Sequence, residues 1–541
     1  MQKPSIKARL SIGLSAIGIM MASQASAIFV DGQGHYGLRG ETRTRPGFNK
    51  GTGSYQAIDQ FFRLDTELRV NDKSSFFAEF RLFDDQRENA LGDSGRVLDC
   101  PPEATQENPN SNIGSSSNCG QLPNSTLEPR YEAFVPRITK AYARYAMDYC
   151  LLTVGRRDRH WGMGLFMDSG KDVFDTDATV YDGFTCDVNL QKTQTLSFSL
   201  GYDKITETGA SVFLQGGNSN FGPMEKNDDL DQFFFTIEYN DHKANAGKGF
   251  SQQIGIYFAN IIGGSNTKTD IKLADLYLNF LVQDLVIQQE ILFRLGKSAD
   301  PNLVRLGGLR SATFSSLDEA ESRLSNDVQS IAAAGSLEYF LSRSGTLLGP
   351  ARYNQGTAKS HSLFIDYAYA PGDSDGYYPV YPGADLTAPS PRDNKASAVA
   401  FHRNFKPALL LFNGRKQTDN LRIDGVFDPY RLMNVTVFSL GYRYRSVAAG
   451  DFEAKLVTAS LNEGIPGDVK ANYENQRFRP IGYEGKDLGF ELDISYNRAI
   501  GQGLELGAAV ALGLPGQAWE IDRDQAAQTN YLFQGHAVFR F

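Results

Sequence analysis

Residues 60–71, QFFRLDTELRVN, sort by parity. Phe62, Leu64, Thr66, Leu68 and Val70 fall on one side, and Arg63, Asp65, Glu67 and Arg69 on the other. A helix would mix these sets, because it places residues three or four apart on one face; an extended chain keeps them on opposite faces. The next segment, SFFAEFRLFDD (75–85), repeats the separation, with Ala78, Phe80 and Leu82 opposite Glu79 and Arg81. Asn71-Asp72-Lys73 between them is a tight-turn signal. The two segments read as a hairpin with one greasy and one charged face.

That period of two recurs along the chain. TKAYARYAM sets Lys140, Tyr142 and Arg144 against Ala141, Ala143 and Tyr145. LVIQQEILFRLG sets Gln288, Glu290 and Arg294 against Ile287, Gln289, Ile291, Phe293 and Leu295. FSLGYRYRS and GFELDISYN alternate in the same way. A soluble sandwich also alternates, but so many apolar faces then need a covering layer, and only residues 314–332 read as an amphipathic helix. One closed sheet, apolar toward lipid and polar toward an aqueous lumen, needs no cover.

The connections support closure. Short turns (NDK, MDYC, QD, VAAGD, AIGQG) alternate with long polar loops at about 87–136, 159–180, 217–229, 297–329, 371–430, 464–486 and 515–528. The expected fold is all-β: a transmembrane antiparallel barrel of about 18 strands, with 16 to 20 open, long outer loops and short periplasmic turns. Strands are placed at 190–203 and 207–216, among others, and SAVAFH and PALLLF within 396–413 leave room for an extra hairpin.

The first residues read as a secretory leader. Lys3, Lys7 and Arg9 precede an apolar stretch from Leu10 to Ala22, and Ala25-Ser26-Ala27 offers a cleavage site. The expected organisation is a cleaved signal peptide at 1–27 and one barrel domain at 28–541, in the bacterial outer membrane. The whole chain carries a formal net charge of −9, and the leader takes three further positive charges with it, which argues against a nucleic-acid partner. Export places the four cysteines in an oxidising compartment. Cys100 and Cys119 bracket a Pro-, Asn- and Ser-rich stretch that a disulfide would hold; Cys150 and Cys186 are then left to pair.

At the other end, GHAVFRF (535–541) alternates to its last residue. Phe539 and Phe541 face lipid at the membrane boundary in this reading, and a terminal Phe after alternating apolar residues resembles the assembly signal of bacterial outer-membrane proteins. The expected partners are outer-membrane lipid and lipopolysaccharide, the barrel-assembly machinery through the last strand, and small solutes or an anionic polymer.

Catalytic chemistry finds little footing. Six scattered histidines form no grouping with a nucleophile, and His160 beside Asp158 is the nearest approach to one. GDSDG (372–376) and DTDATVYDG (175–183) lack the spacing and closing Glu of an EF-hand, so no metal or cofactor is expected. The informative residues are on the lumen wall. Arg63, Arg69, Arg81, Arg144 and Arg157 stand at the inward phase of four successive strands, interleaved with Asp65, Glu67 and Glu79; Lys140, Glu290 and Arg294 extend the set. Such rings of charge select solutes, and the same residues also suit a self-neutralising network that stiffens the wall. Arg156, of the opposite parity to Arg157, belongs at the rim. The segment RHWGMGLFMDSG (159–170) is too apolar for open water; inward folding of Trp161, Phe166 and Met167 as a constriction is the favoured reading, with packing over the barrel mouth or against a partner the alternatives.

At these residues a family resemblance emerges. VGR (154–156), WGMGL (161–165) and YDG (181–183), then YAYAPGDSDG (367–376) and HRNFKPALLLFNG (402–414), resemble the alginate-export family of outer-membrane barrels and its porin-like relatives. That resemblance implies an 18-stranded barrel whose Arg-rich lumen passes anionic polysaccharide. The residues favour a non-enzymatic, passive, charge-lined channel for small hydrophilic or charged solutes. A dedicated polysaccharide exporter is the alternative, followed by a rim enzyme or adhesin.

Overall fold

The computed structural model describes most of the chain from Phe29 onward; residues 1–28, 45–53, 83–96, 100–136, 206–229, 299–325, 346–356, 374–394 and 413–431, with some shorter stretches, lie outside the described residues. The leader, Cys100, Cys119 and the strand expected at 207–216 fall there.

Among the described residues twenty strands follow one another: β1 (Phe29–Thr44), β2 (Ser54–Asn71), β3 (Ser74–Leu82), β4 (Val97–Asp99), β5 (Arg137–Ala146), β6 (Leu151–Asp158), β7 (Val180–Asn189), β8 (Leu196–Ile205), β9 (Leu230–Asn240), β10 (Phe250–Gly263), β11 (Asp270–Val282), β12 (Leu285–Ser298), β13 (Asn326–Gly345), β14 (Thr357–Ala370), β15 (Lys395–Ala396), β16 (Val435–Ser446), β17 (Gly450–Leu461), β18 (Asp487–Ile500), β19 (Leu504–Pro515) and β20 (Asn530–Arg540). Two are short appendages: β4 pairs with the start of β2, and β15 runs parallel to β13 at Asp327 and Val328. The other eighteen form one antiparallel sheet that closes when β20 pairs with β1, from His35↔Arg540 to Arg43↔Leu532. Phe541 continues that ladder: its carbonyl accepts from Gly34 N–H at 2.8 Å, and its own N–H donates to Gly34 O at 3.0 Å. Closure leaves no edge on which another chain could pair.

The distribution of side chains is that of a membrane barrel. Around the outside, Phe76, Ile138, Val154, Leu200, Phe258, Leu295, Leu363, Leu440, Leu456, Leu492, Leu506 and Phe533 are exposed. Inside, Glu79, Arg81, Lys140, Arg157, Asp203, Glu290, Glu338 and Glu491 are buried. An aqueous protein inverts this order, and a continuous apolar exterior of this size belongs against lipid. Phe539 (43 % exposed) and Phe541 (68 %) join Tyr145, Tyr339 and Tyr496 on that surface at the short-turn end. No helix among the described residues is long and apolar enough to cross a membrane.

Several boundaries differ from the sequence reading. The hairpin placed at 190–203 and 207–216 begins earlier, as β7 and β8, so that 180–183 of the supposed calcium-like stretch are strand. Outward Phe184, Cys186 and Val188 alternate there with inward Tyr181 and Thr185. Residues 326–332, the end of the candidate helix, belong to β13. SAVAFH and PALLLF add no wall hairpin: beyond the two-residue β15, residues 397–412 turn into the lumen. The disulfide present among the described residues is Cys150–Cys186, with Cα atoms 5.5 Å apart, tying the β5–β6 turn to β7 across the strand between them.

Gly155, in the VGR stretch, has φ +122°, and a Cβ there would come within 2.5 Å of Ala141 O on β5. Gly155→Ala is expected to destabilise the barrel by about 1–3 kcal/mol, the usual cost of backbone strain. Urea unfolding in detergent, followed by the gel-mobility difference between folded and heated barrel, measures it; an unchanged midpoint means that β5 and β6 yield.

Candidate functional site

Among the described residues, two segments carry the site inside the lumen. The first, residues 159–179, leaves β6 and returns to β7, and its two ends meet where Arg159 N–H donates to Thr179 O at 3.0 Å. Between them the chain crosses the bore. On one side Trp161 packs on Tyr257 of β10 with ring centroids 5.6 Å apart, and Met163 N–H donates to the Glu290 carboxylate of β12. On the other, Phe174 sits 5.3 Å from Phe61 of β2 and 5.1 Å from His536 of β20, with the Arg39 guanidinium 5.2 Å from its ring. The segment thus reaches the β20–β1–β2 seam from nearly the opposite wall.

The charged ladder on β2, β3 and β5 supplies the donors this crossing needs. Backbone carbonyls carried inside a barrel need partners, since an unmet one costs most of its desolvation energy. Arg63 donates to Lys171 O at 2.9 Å and Gly170 O at 3.2 Å, Arg81 to Gly170 O and Asp175 O at 3.2 Å each, and Lys140 to Ser169 O at 3.4 Å. Carboxylates on the same wall neutralise these cations. Glu79 lies 2.6 Å from Arg81 and 2.7 Å from Lys140, Asp65 lies 2.9 Å from Arg63, and Asp158 lies 3.2 Å from Lys140. Arg157 pairs with buried Asp203 at 2.7 Å. Arg156 faces the other way and pairs with Asp182 at 2.7 Å, both side chains about 40 % exposed.

The second segment, 397–412, comes from the opposite arc of the wall. Arg294 donates to Ala398 O at 2.6 Å and to Ser330 Oγ at 3.0 Å. Farther on, Leu410 and Leu411 N–H donate to Glu491 of β18 at 2.6 and 2.8 Å. Val399, Phe401, Leu410, Leu411 and Phe412 join Trp161, Leu165 and Met167 in one buried apolar cluster inside the barrel, with Phe166 packed against it. The segments touch directly: His402 N–H donates to Leu165 O at 2.6 Å, and Asn404 Nδ2 to Asp168 Oδ1 at 3.1 Å.

The residues singled out from sequence therefore divide. Glu79, Arg81, Lys140, Arg157 and Glu290 are buried, and Arg294 is engaged by the second segment. Asp65 and Glu67 are partly exposed, and Arg69, paired with Glu67 at 2.9 Å, is 54 % exposed toward the short-turn end. Arg144 lies 4.5 Å over Phe77 and 5.2 Å over Tyr142. His160 does not meet Asp158; its ring faces Asp168 at 3.5 Å, while Asp158 serves Lys140. From sequence, Glu491 and Asp493 fall on the polar face of GFELDISYN without a site role, and PALLLF reads as a possible extra hairpin rather than as lumen filling. Among the described residues no group of three or more His, Cys, Asp or Glu could hold a metal ion.

Two carboxyls of the first segment are shifted in opposite directions. Burial pushes Asp168 upward, but donation from His160, Gly170 N–H and Asn404 outweighs it and holds the group well below the usual carboxylate range. Burial, reinforced by the charges of Asp172 and Asp168, pushes Asp175 up to about 7 against partial relief from the Asp172 N–H and Lys406. Asp175 lines a crevice with Phe61, Arg63 and Arg81. The seated segment therefore holds a proton that a detached one releases, so seating is strongest in acid and weakens as pH rises from about 4 to about 7. Current noise in single-channel records is expected to grow from about pH 4 to about pH 7 as the segment loosens, and Asp175→Asn to flatten the trend. A wild-type profile identical to that of the variant removes Asp175 from the effect.

No family model matches the chain, and no curated protein matches it. The alginate-export resemblance accordingly stands on its quoted stretches, two of which, WGMGL and HRNFKPALLLFNG, overlap the two lumen segments. Among solved structures the chain is similar to Pseudomonas aeruginosa OccK8 (OprE), at 12 % identity and TM-score 0.45 over 94 % of this chain and 98 % of that one. It is also similar to the outer membrane protein OprD from Pseudomonas aeruginosa (11 %, TM-score 0.42, 96 % of each chain) and to Acinetobacter baumannii OccAB4 (11 %, TM-score 0.42, 96 % of this chain and all of that one). At these values the assignment of a closed, 18-stranded membrane barrel rests on the chain's own strand pairing.

Proposed function

We propose that the protein is a diffusion channel of a bacterial outer membrane, admitting small hydrophilic or charged solutes past a lumen narrowed by residues 159–179 and 397–412. One observation carries this reading: an 18-stranded barrel with charged side chains inside and apolar ones outside has its polar path along the axis. Side chains that keep water contact (Arg63, Asp65, Glu67 and Arg69 on one wall, Arg443 and Glu453 on the other) set which ions pass. The terminal aromatics Phe539 and Phe541 serve lipid anchoring and recognition by the assembly machinery.

Planar-bilayer recording tests it. Stepwise conductance is expected, and silence over repeated insertions ends the channel reading. Arg63→Gln with Arg69→Gln leaves Asp65 and Glu67 unneutralised, so the reversal potential in a salt gradient is expected to move toward cation preference. An unmoved potential takes both arginines out of the ion path. Export of an anionic polymer is the second reading, suggested by the family resemblance of WGMGL (161–165) and HRNFKPALLLFNG (402–414). It requires that acidic oligosaccharides block the current at lower concentration than neutral ones of equal length.

A further inference from the structure

The second lumen segment raises a problem that its apolar side chains do not solve. Burying Leu410 and Leu411 beside the half-buried Leu409 carries backbone N–H groups inside as well, and each needs an acceptor. Three successive amides meet that need on one strand. Leu409 N–H donates to Asp493 at 3.3 Å, and Leu410 and Leu411 N–H donate to the two oxygens of Glu491 at 2.6 and 2.8 Å. Glu491 is 0 % exposed, and no cation lies within ion-pair distance of it among the described residues; Lys455 reaches Asp493 instead, at 3.8 Å. A buried carboxylate without a cation persists only when several donors converge on it, as successive backbone amides do in anion-binding nests. Glu290, also 0 % exposed, accepts from Met163 N–H of the first segment. The His402–Leu165 and Asn404–Asp168 contacts join the two segments.

We propose that Glu491 is the positioning residue of the constriction: by clamping the amides of Leu410 and Leu411 it seats residues 397–412 and, through the contacts at Leu165 and Asp168, fixes the first segment and hence the aperture. This rests on the channel reading for its effect on current, though not for its effect on seating. Removing the carboxylate leaves two buried amides without acceptors, which favours release of the segment toward water. Glu491→Gln retains one good acceptor oxygen and is expected to give an intermediate result.

The test compares wild-type, Glu491→Gln and Glu491→Ala full-length proteins, each first shown to keep the folded-barrel gel mobility. Hydrogen exchange by mass spectrometry reads peptides covering 404–412 and 161–168, and bilayer recording reads the current. Faster exchange in both peptides together with larger, noisier conductance, graded Ala over Gln, supports the proposal. Unchanged protection of 404–412 in Glu491→Ala overturns it. Loosening of 404–412 with unchanged exchange at 161–168 and unchanged current overturns the transmission to the aperture. If Glu491→Ala does not fold, Glu491→Gln decides by the same readings. A wild-type protein that shows no current while Glu491→Ala loosens both peptides supports the seating role and overturns the channel reading alone.

Discussion

Excising residues 160–178 and joining Arg159 to Thr179 through two glycines is expected to raise single-channel conductance several-fold. The excision is sterically modest, because Arg159 N–H already donates to Thr179 O at 3.0 Å and the flanking strands β6 and β7 are paired. A short Gly-containing link can close such a hairpin. What disappears is the bridge from Glu290 on β12 to the Phe61–Phe174 contact at the seam. Arg63, Arg81 and Lys140 lose their carbonyl partners but gain water, and their carboxylate partners remain on the wall. Selectivity is expected to weaken along with the rise in current, since charges act most strongly where the path is narrow and water scarce. A deletion variant that folds and conducts as the wild type does would place the narrowest point elsewhere.

The largest loss of stability is expected from Glu79→Ala. Its carboxylate, 3 % exposed, lies 2.6 Å from Arg81 Nε and 2.7 Å from Lys140 Nζ, accepts from Thr139 Oγ1 at 2.6 Å, and has Arg63 Nε at 3.9 Å. Deleting one member of a buried ion network strands the others, at a cost of about 3–5 kcal/mol. Part of that cost falls on the first lumen segment, because Arg81 and Lys140 are also the donors that hold Ser169, Gly170 and Asp175 carbonyls. Glu79→Gln keeps an acceptor while removing the charge and is expected to lose less. Urea unfolding in detergent gives the global figure, and proteolysis within 159–179 shows whether the segment loosens first. A change below about 1 kcal/mol for the Ala variant would mean that water reaches the site and the network behaves as a surface one.

The wall was legible because its rule is local. Strand parity repeats every two residues, so Phe62 to Val70 against Arg63 to Arg69 reveals an outside and an inside without knowledge of any partner strand. Parity failed where another demand shaped the sequence. The stretch 180–183 looked like loop because Asp182 stands on an outward position, yet Arg156 on the neighbouring strand neutralises it. Gln289 breaks the apolar face of β12 in the same way, and Tyr367 on the lipid side supplies its hydrogen bond. PALLLF suggested an extra hairpin because apolar runs accompany strands, whereas here the run fills the inside of the barrel.

By itself the sequence determined the alternation and the turns, since both follow from the chemistry of neighbours along the chain. The tertiary structure alone decided what the inward charges do. Met163 meets Glu290 across 127 residues, Leu410 meets Glu491 across 81, and Arg63 meets Lys171 across 108. No periodicity encodes such pairings, because a backbone carbonyl or amide is the same in every residue and its partner is chosen by where the bent chain comes to rest. For that reason the wall could be read as charged, but not which charges face the solute and which hold the loops.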